Sequence, residues 1–369
     1  MFNRPLVEIH TADIHFGAFD PKTQYEMLME RMINKIRTIH FDAFFINGDL
    51  FHHKFMSNSD VVMYALLFID EIAKLCMQND ATLVLLHGTY SHDADQLKLF
   101  YRYINSGLDI RIVEQMRFEE IKGTKVLCIP EEYNRGKDYY ENLLYYTQDY
   151  DMAVLHGNIK GAIYGLNAPD LNSQKSPVFS IEHFARCNGP IICGHVHIAK
   201  CLMNHIYYCG SPLRWQFGEE QEKGFIVCVY DPRTHAYYNH FEIIESFRYD
   251  TIDLDSMINA TPESAIQYIK NLKANGIDYI KIRFSGSTPT TDVIKRYFSN
   301  SNNITIDVTD TGFINTIKEN QKNNNTFSQY AYILSPTMSE QEIFTQYVNQ
   351  MKGEQFITVQ ELEKILSDL

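Results

Sequence analysis

The chain has 369 residues, of which 45% are hydrophobic and 13% aromatic, so its length predicts two or three domains and its apolar content excludes a disordered chain. Its net charge of -13 at pH 7 excludes a protein that holds DNA alone through a broad basic face. Work on DNA would therefore need local basic patches, metal ions or a basic partner.

Neither a membrane segment nor a disulfide framework is indicated. No apolar run reaches the roughly 20 residues that span a bilayer, and the start "MFNRPLVEIHTADIHFG" has no signal-peptide pattern. The seven cysteines contain no Cys-x-x-Cys pair, which argues against a structural zinc site. We expect reduced, mostly buried thiols in a protein without a membrane partner. We expect it in the cytoplasm of a bacterial or phage-infected cell, or at the nucleoid.

Short apolar runs alternate with helical patterns through about residue 230, which predicts a layered α/β domain. Apolar residues recur at helical spacing from Tyr25 to Ile39 and from Val62 to Ala73. All the apolar runs except the fourth are followed by histidine, aspartate or glycine, so we expect polar groups to converge on one edge of the sheet. The runs are 5–10, 43–47, 82–87, 125–129, 152–156 and 190–194.

From about residue 250 the pattern changes to a smaller α/β unit. A helix is predicted from Pro262, with Thr261 as its N-cap, and is followed by a strand at 279–284. A second helix around "TTDVIKRYF" and a strand at 304–308 complete the unit.

The last part of the chain has a different composition. The tract 319–325, "ENQKNNN", is typical of a flexible linker, and capping-box patterns at 339–342 and 358–361 predict two short helices beyond it. Such a pair is too small to form its own core, so it either docks on a partner or packs back on its own chain. The predicted domains are 1–248, 249–318 and 319–369.

Five polar motifs near the ends of the predicted strands carry the chemistry. A pair of divalent metals needs a bridging carboxylate and further imidazole and oxygen ligands, and Asp49 is the natural bridge. One such motif alone is typical of a solvated loop, but five in order indicate a metal site. The motifs are "TADIHFG" with Asp13 and His15, "NGDLFHH" with Asp49 and His52, "GTYSHDAD" with Ser91 and His92, "VLHGN" with His156, and "CGHVH" with His195 and His197.

This series of motifs resembles the calcineurin-like metallophosphoesterase superfamily over roughly the first 230 residues. Within it, "GSPLRWQFGEEQEKGFIV" (210–227) is similar to the segment that follows the last metal motif in the Mre11/SbcD nucleases. The unit near 250–315 resembles the capping domain of that family, and the terminal helices resemble its segment that docks on the Rad50/SbcC ATPase. The resemblance implies a layered metallophosphoesterase β-sandwich flanked by helices, with a small α/β capping domain and a C-terminal helical pair.

The resemblance also implies two divalent metal ions, with Mn²⁺ as the usual metal and Mg²⁺ as the alternative. His92 would be a non-ligand histidine that faces the scissile phosphate, and His52 would help to position the substrate. One metal would be held by Asp13, His15, Asp49 and His197, and the other by Asp49, His156 and His195 with help from the third motif.

The third motif departs from the family pattern, which reads Gly-Asn-His-Asp. Here two more residues separate the glycine from the histidine, and Ser91 stands where the asparagine is expected. Ser91 would bind the metal directly or through water, or Asp93 or Asp95 would replace it, or the second site would be weak and the protein inactive alone. Asp93 is expected to orient His92 or the loop rather than to bind metal. An active enzyme is favoured because the other implied ligands and His92 remain.

These features together predict a metal-dependent DNA nuclease, acting as an exonuclease or endonuclease. It would be the catalytic subunit of an SbcCD/Mre11–Rad50-like complex in DNA end processing, repair or recombination, with an SbcC/Rad50-like ATPase bound to the terminal helices, and it would form a homodimer. The alternatives are a metallophosphoesterase that acts on another phosphoester and a catalytically impaired scaffold that binds DNA ends. Trp215, beside the last motif, would stack on a base or lie at the edge of the core.

Overall fold

The structure, a computed structural model, describes residues 4–135, 139–140, 148–161, 177–203, 205–257, 261–286, 289–301 and 303–309. The chain divides into two compact units. The first comprises Met1–Asp250 and Lys273–Tyr279, and the second comprises Thr251–Leu272 and Ile280–Leu369. The predicted linker and terminal helices lie outside the described residues, so the division into three domains stays a prediction.

The strands of the first unit form two six-stranded sheets and a two-stranded one. In chain order they are β1 (Leu6–Thr11), β2 (Ala43–Asn47), β3 (Thr82–Leu86), β4 (Ile110–Val113), β5 (Arg117–Ile121), β6 (Thr124–Ile129), β7 (Met152–His156), β8 (Asn158–Ile159), β9 (Val178–Phe179), β10 (Ile191–Gly194), β11 (Lys200–Leu202), β12 (Ile206–Tyr208), β13 (Lys223–Asp231) and β14 (Ala236–Ile244). The first sheet has the order β14-β13-β1-β2-β3-β4, the second has the order β11-β12-β10-β7-β6-β5, and β8 pairs with β9. All six predicted apolar runs contain a strand, which confirms the layered α/β prediction.

The central strands of both large sheets are buried on both faces, and their successive side chains point to opposite faces. In β2, Phe45 packs between the two sheets, whereas Phe44 faces the helices. In β7, Val154 packs between the sheets and Leu155 faces the opposite outer layer. Continuous apolar runs are typical of such doubly covered strands.

Helices cover the outer face of the first sheet. The Asp20 carboxylate caps helix α1 (Pro21–Met27) by accepting from the Thr23 N–H, and the Ser59 hydroxyl caps helix α3 (Asp60–Asn79) by accepting from the Val62 N–H. A π-helical segment, Leu28–Ile33, interrupts the helix predicted before β2. The helices are α1 (Pro21–Met27), α2 (Asn34–Ile36), α3 (Asp60–Asn79) and α4 (Tyr90–Asp93), with a 3₁₀ helix at Gln96–Tyr103. A further 3₁₀ helix, Ile181–Phe184, packs on the second sheet.

The smaller unit has a three-stranded sheet in the order β15 (Tyr249–Asp253), β16 (Tyr279–Ser285) and β17 (Ile304–Thr309). Strands β16 and β17 are parallel. Its helix α5 begins as predicted, because the Thr261 hydroxyl accepts from the Ser264 N–H at 3.2 Å. The remaining elements also follow the predicted order. They are β15 (Tyr249–Asp253), a 3₁₀ turn at Leu254–Ser256, α5 (Pro262–Ala274), β16 (Tyr279–Ser285), α6 (Pro289–Phe298) and β17 (Ile304–Thr309).

The sequence predicted no membrane segment and reduced, mostly buried thiols. Among the described residues, none of the helices combines the length and hydrophobicity that a membrane span requires. All seven cysteines are free thiols, and only Cys201 is exposed, which confirms the prediction of reduced, mostly buried cysteines.

Candidate metal centre

The polar motifs meet where the carboxyl ends of parallel strands reach one edge of the sandwich. β1, β2 and β3 are mutually parallel neighbours in the first sheet, and β7 and β10 are parallel neighbours in the second. Each strand carries a polar site residue at its end or within two residues of it, except β3, whose first site residue, Thr89, comes three residues after Leu86. Because both sheets contribute, the site lies at their shared edge.

Four of the site residues adopt a left-handed backbone that costs non-glycine residues about 1–3 kcal/mol. They are Asp13 (φ 53°), His15 (φ 51°), Asp49 (φ 53°) and His195 (φ 86°). Backbone hydrogen bonds compensate for part of this strain: the Asp13 N–H donates to Gly48 O and the His15 N–H to Asp49 O, both at 3.0 Å. Such strain concentrates at functional sites, and here it turns the side chains into one cluster.

Two glycines allow the loops to approach each other. A Cβ at Gly88 would lie 2.2 Å from the Asp49 backbone nitrogen, and a Cβ at Gly194 would lie 2.1 Å from Asn47 O. Both distances are far below van der Waals contact. A side chain at Gly88 would displace the loop that carries Asp49, and one at Gly194 would push β10 of the second sheet away from β2 of the first.

Asp49 occupies the middle of the cluster. Its Oδ2 lies 3.7 Å from His15 Nε2 and 3.3 Å from His156 Nε2, while its Oδ1 accepts from the Thr89 N–H at 2.6 Å. The carboxyl group is nearly inaccessible, at 3% exposure. This geometry places Asp49 between the two groups of potential ligands, as expected for a bridge.

One group of potential ligands consists of Asp13, His15 and His197, whose ligand atoms all lie within 4.8 Å of one another. His15 Nε2 is 3.2 Å from His197 Nε2, and His197 Nε2 is 4.0 Å from Asp13 Oδ1. The His195 N–H donates to both oxygens of Asp13 at 3.0 Å, which fixes the orientation of that carboxylate.

A second group consists of His156, His195 and Glu131, again with ligand atoms within 4.8 Å. His156 Nδ1 is 2.7 Å from Asn47 O, so it donates there and leaves Nε2 facing the cluster. Glu131 Oε2 is 3.8 Å from His156 Nε2 and 3.5 Å from His195 Nδ1. Asp13, Asp49 and His156 form a further group that joins the two sides.

Burial sets the charge states of the cluster. It lowers the pKa of His15 and His195 and raises that of Asp13. Burial opposes the charges on Asp49 and His156, but their mutual attraction lowers the pKa of Asp49 and raises that of His156 to about 10. The neutral imidazoles of His15 and His195 each keep a lone pair, which metal binding requires.

The two histidines expected to act on the substrate lie beside this cluster. The His92 ring centroid is 4.7 Å from that of His15, and His92 Nδ1 donates to the backbone oxygen of His52. The His52 ring is 5.7 Å from the His92 ring, and burial lowers the pKa of His52. The ligand atoms of His15, His52 and His92 also lie within 4.8 Å of one another, so these three histidines form a further group of potential ligands.

Asp93 has a supporting position. Its Oδ2 accepts from the N–H groups of Asp49 at 3.0 Å and Gly88 at 2.8 Å, and its Oδ1 accepts from Phe51 at 3.1 Å. Burial and the nearby Asp49 charge raise the pKa of Asp93 to about 6. The carboxyl is fully buried and occupied by the backbone, which agrees with the expectation that it orients the loop. It therefore does not face a substrate as a catalytic group would.

The structure does not bring Ser91 into the cluster. Ser91 is exposed on the single turn of α4 and borders an open cavity that Glu131 and Glu132 also line. Asp95 is also exposed and pairs with Lys98 at 3.0 Å. The geometry therefore does not support either residue in place of the missing asparagine.

Two residues of the site were missed in the sequence. Glu131 and Thr89 contact each other at 2.9 Å inside the second group. Trp215, expected on a base or at the edge of the core, donates through Nε1 to His197 Nδ1 at 3.0 Å, and its ring lies against three histidines. The available signals were the glutamates directly after the fourth apolar run and the threonine directly after Gly88.

The donor set fits divalent metal ions. Carboxylate oxygens and imidazole nitrogens are the ligands preferred by Mn²⁺, Fe²⁺ and Zn²⁺, and they gather here without a thiol. An imidazole that accepts at Nδ1 carries its proton on Nε2 when neutral, so binding of metal at His197 Nε2 requires its hydrogen bond with Trp215 to break.

Comparison with known proteins adds a family match. A model described as the calcineurin-like phosphoesterase family matches residues 9–199, which is more than half of the chain. None of the curated proteins matches. Among solved structures, 29 chains match; one of them, a crystal structure, has 12% identity, covers 64% of this chain and 99% of its own, and has a TM-score of 0.37.

The family match contains all five polar motifs and both groups of potential ligands, and its members use divalent metals to hydrolyse phosphoesters. The chain belongs to the calcineurin-like phosphoesterase family.

Proposed function

We propose that the chain is a metal-dependent DNA nuclease and the catalytic subunit of an SbcCD/Mre11–Rad50-like complex. One observation supports this most: the segment 210–227, whose sequence resembles those nucleases, lies directly on the last metal motif. Trp215 donates to the His197 ring, and Lys223 Nζ donates to His197 O at 3.0 Å. Lys223 is 1% exposed and pairs with Glu219 at 3.0 Å, so the segment is built into the site.

The cluster would hold two divalent ions, Mn²⁺ or alternatively Mg²⁺. Such ions supply Lewis acidity and neutralise the charge on a phosphoester. Of the proposed ligands, His195 and His197 have side chains that are each 24% exposed, whereas the Asp13 and His15 side chains are at most 1% exposed. The phosphate would therefore approach from the side of the two exposed imidazoles. The first ion would be held by Asp13, His15, Asp49 and His197, and the second by Asp49, His156 and His195.

His92 is suited to transfer a proton. Its Nδ1–H is donated to the backbone oxygen of His52, which fixes the ring and leaves Nε2 to exchange a proton. When water attacks phosphorus, its oxygen forms the new P–O bond and releases one proton to the solvent. The P–O bond to the leaving nucleotide breaks, and the leaving oxygen takes a proton from His92 Nε2, which the solvent then replaces. His52, stacked beside it, would position the substrate.

The test is Mn²⁺-dependent cleavage of labelled linear and single-stranded DNA, with and without an SbcC/Rad50-like ATPase. Asp49→Ala removes the central carboxylate and is expected to abolish cleavage. A small chromogenic phosphodiester serves as a second substrate. Turnover of that compound without DNA cleavage would indicate a different phosphoester, and two bound ions without any turnover would indicate a scaffold.

The partner proposals need separate experiments. Deletion of residues 326–369 is expected to release the ATPase while the phosphoesterase unit stays folded; a complex that persists would show that the helices are not the main dock. For the homodimer, Met63 and Leu67 on α3 are 45% and 40% exposed and lie one turn apart. Leu67→Glu is expected to yield a monomer in light scattering if this face pairs two copies. The complex would act in the cytoplasm or at the nucleoid.

A further inference from the structure

A buried glutamate from the loop after β6 faces the second group of potential ligands. Glu131 is 3% exposed, and its Oε2 lies 3.5 Å from His195 Nδ1 and 3.8 Å from His156 Nε2. Two atoms that bind one ion at about 2.1 Å lie about 3.0–3.4 Å apart in octahedral or tetrahedral geometry. The Glu131 oxygen is therefore close to the spacing that a shared ion requires.

Neighbouring hydroxyl groups hold this carboxylate in place. Thr89 Oγ1 donates to Glu131 Oε2 at 2.9 Å and lies 3.3 Å from Asp49 Oδ2 and 3.4 Å from His156 Nε2. The phenol of Tyr133 forms a side-chain hydrogen bond with Glu131. Buried carboxylates are rare unless they are paired or bound to metal, and here the surrounding groups are themselves potential ligands.

The other acidic and hydroxyl groups of the third motif are placed elsewhere. Both oxygens of Asp93 accept backbone N–H groups, Asp95 pairs with Lys98 at the surface, and Ser91 is exposed. The two additional residues between Gly88 and His92 form the first half of α4, which carries Ser91 away from the cluster.

We propose that the Glu131 carboxylate is a ligand of the second metal ion, in the place that an asparagine amide fills in the family pattern, and that Thr89 is its positioning residue. This assignment rests on the proposed metal-dependent function. A carboxylate adds one negative charge where an amide is neutral, so the second ion is held more tightly than an amide would hold it.

The experiment titrates metal-free full-length protein with MnCl₂ and follows two signals. Fluorescence of Trp215, the only tryptophan, reports the first ion, because the Trp215 ring lies 5.3 Å from the His15 ring and 5.0 Å from the His197 ring. Electron paramagnetic resonance reports the second ion through the coupled signal of a manganese pair. Glu131→Gln is expected to weaken the second ion at least ~10-fold and leave the fluorescence midpoint unchanged. Thr89→Val is expected to produce a smaller loss.

Glu132→Gln is the matched control. Glu132 is the next residue and is also buried, but its Oε1 accepts from the Met116 N–H at 2.7 Å and its Oε2 pairs with Arg135. This variant is expected to bind both ions as the wild type does.

The outcomes separate the ligand assignment from the proposed function. Unchanged affinity for the second ion in Glu131→Leu, whose side chain cannot coordinate a metal, or only one ion in the wild type, would overturn the role of Glu131. A wild type that binds no ion would overturn the metal-dependent function itself. If Glu131→Gln fails to fold, Glu131→Asp decides, because its carboxylate is one methylene too short; unchanged affinity for the second ion would then overturn the assignment.

Discussion

Gly48 is the position where a single methyl group should disturb both the fold and the metal centre. Its φ is 89°, and a Cβ there would lie 2.1 Å from His156 Nδ1 and 2.8 Å from the Gly88 Cα. His156 cannot move away easily, because it is fully buried and its Nδ1 donates to Asn47 O at 2.7 Å. Gly48→Ala must therefore displace the imidazole or the backbone that carries Asp49.

The magnitude follows from two separate costs. A left-handed backbone costs an alanine about 1–2 kcal/mol, and overpacking of a tight interior costs about 1–3 kcal/mol. Their sum, about 2–5 kcal/mol, is a large part of the roughly 5–15 kcal/mol that keeps a typical domain folded. Displacement of His156 would also weaken binding of the second ion.

Gly107→Ala provides a matched control because Gly107 has nearly the same φ, 88°, with no atom within 4 Å of its virtual Cβ. We expect Gly107→Ala to lose only the backbone cost, about 1–2 kcal/mol. The assay is urea unfolding of the metal-free proteins, followed by a count of bound Mn²⁺. Equal losses in the two variants, with two ions still bound to Gly48→Ala, would refute the argument that the methyl group meets His156.

Three further outcomes are expected. His92→Gln should reduce DNA cleavage by about 10²–10⁴-fold and retain both ions, whereas loss of an ion would show that His92 is a ligand. Mn²⁺ should quench Trp215 fluorescence and EDTA should restore it. A fluorescence intensity that does not change at saturating Mn²⁺ would show that no ion binds beside the tryptophan. Asp42→Asn should cost about 1–2 kcal/mol in urea unfolding at pH 7, because the carboxylate accepts from Arg4 at 2.6 and 2.8 Å and from the Val7 N–H at 2.9 Å. Burial raises the pKa of Asp42, but these bonds outweigh it and hold the pKa below its usual value, so the stability that the wild type gains is present above about pH 4 and lost as the pH falls through the folded pKa. Asp42→Asn should not show this loss of stability at acid pH. An acid-induced loss equal to that of the wild type would contradict the prediction.

The predicted site residues that the structure brings together share one property: they follow buried strands at short, fixed distances. Asp13 and Asp49 each stand two residues beyond a parallel strand, and His195 stands directly after one. Because these strands are parallel, their carboxyl ends lie at one edge of the sheet, regardless of the helices that connect them. The layered fold was predictable for the same reason, because apolar runs buried on both faces carry their own signal.

The second group was only partly predictable because its missing oxygen ligand comes from a part of the chain without a motif. Glu131 follows Pro130 in a polar stretch, and an acidic pair after a strand is typical of a solvated loop. Its burial depends on Thr89 and on loop packing that no local pattern encodes. Alignment of the third motif by its histidine also favoured Ser91, whereas the glycine is the fixed point: Gly88 packs on Asp49, so the residue directly after it faces the cluster.

The charge of the site explains why metal ions would determine what it binds. Asp13, Asp49 and Glu131 place three buried carboxylates within one cluster, in a chain whose net charge is already -13. With His156 protonated, a phosphodiester entering the metal-free cluster would meet a charge of about -2 and would be repelled. Two divalent ions, whose binding would displace the His156 proton, would change that charge to about +1, so metal binding would create the attraction for the substrate. Because the rest of the acidic surface would still repel a polyanion, the proposed nuclease activity would need a basic partner that holds the DNA.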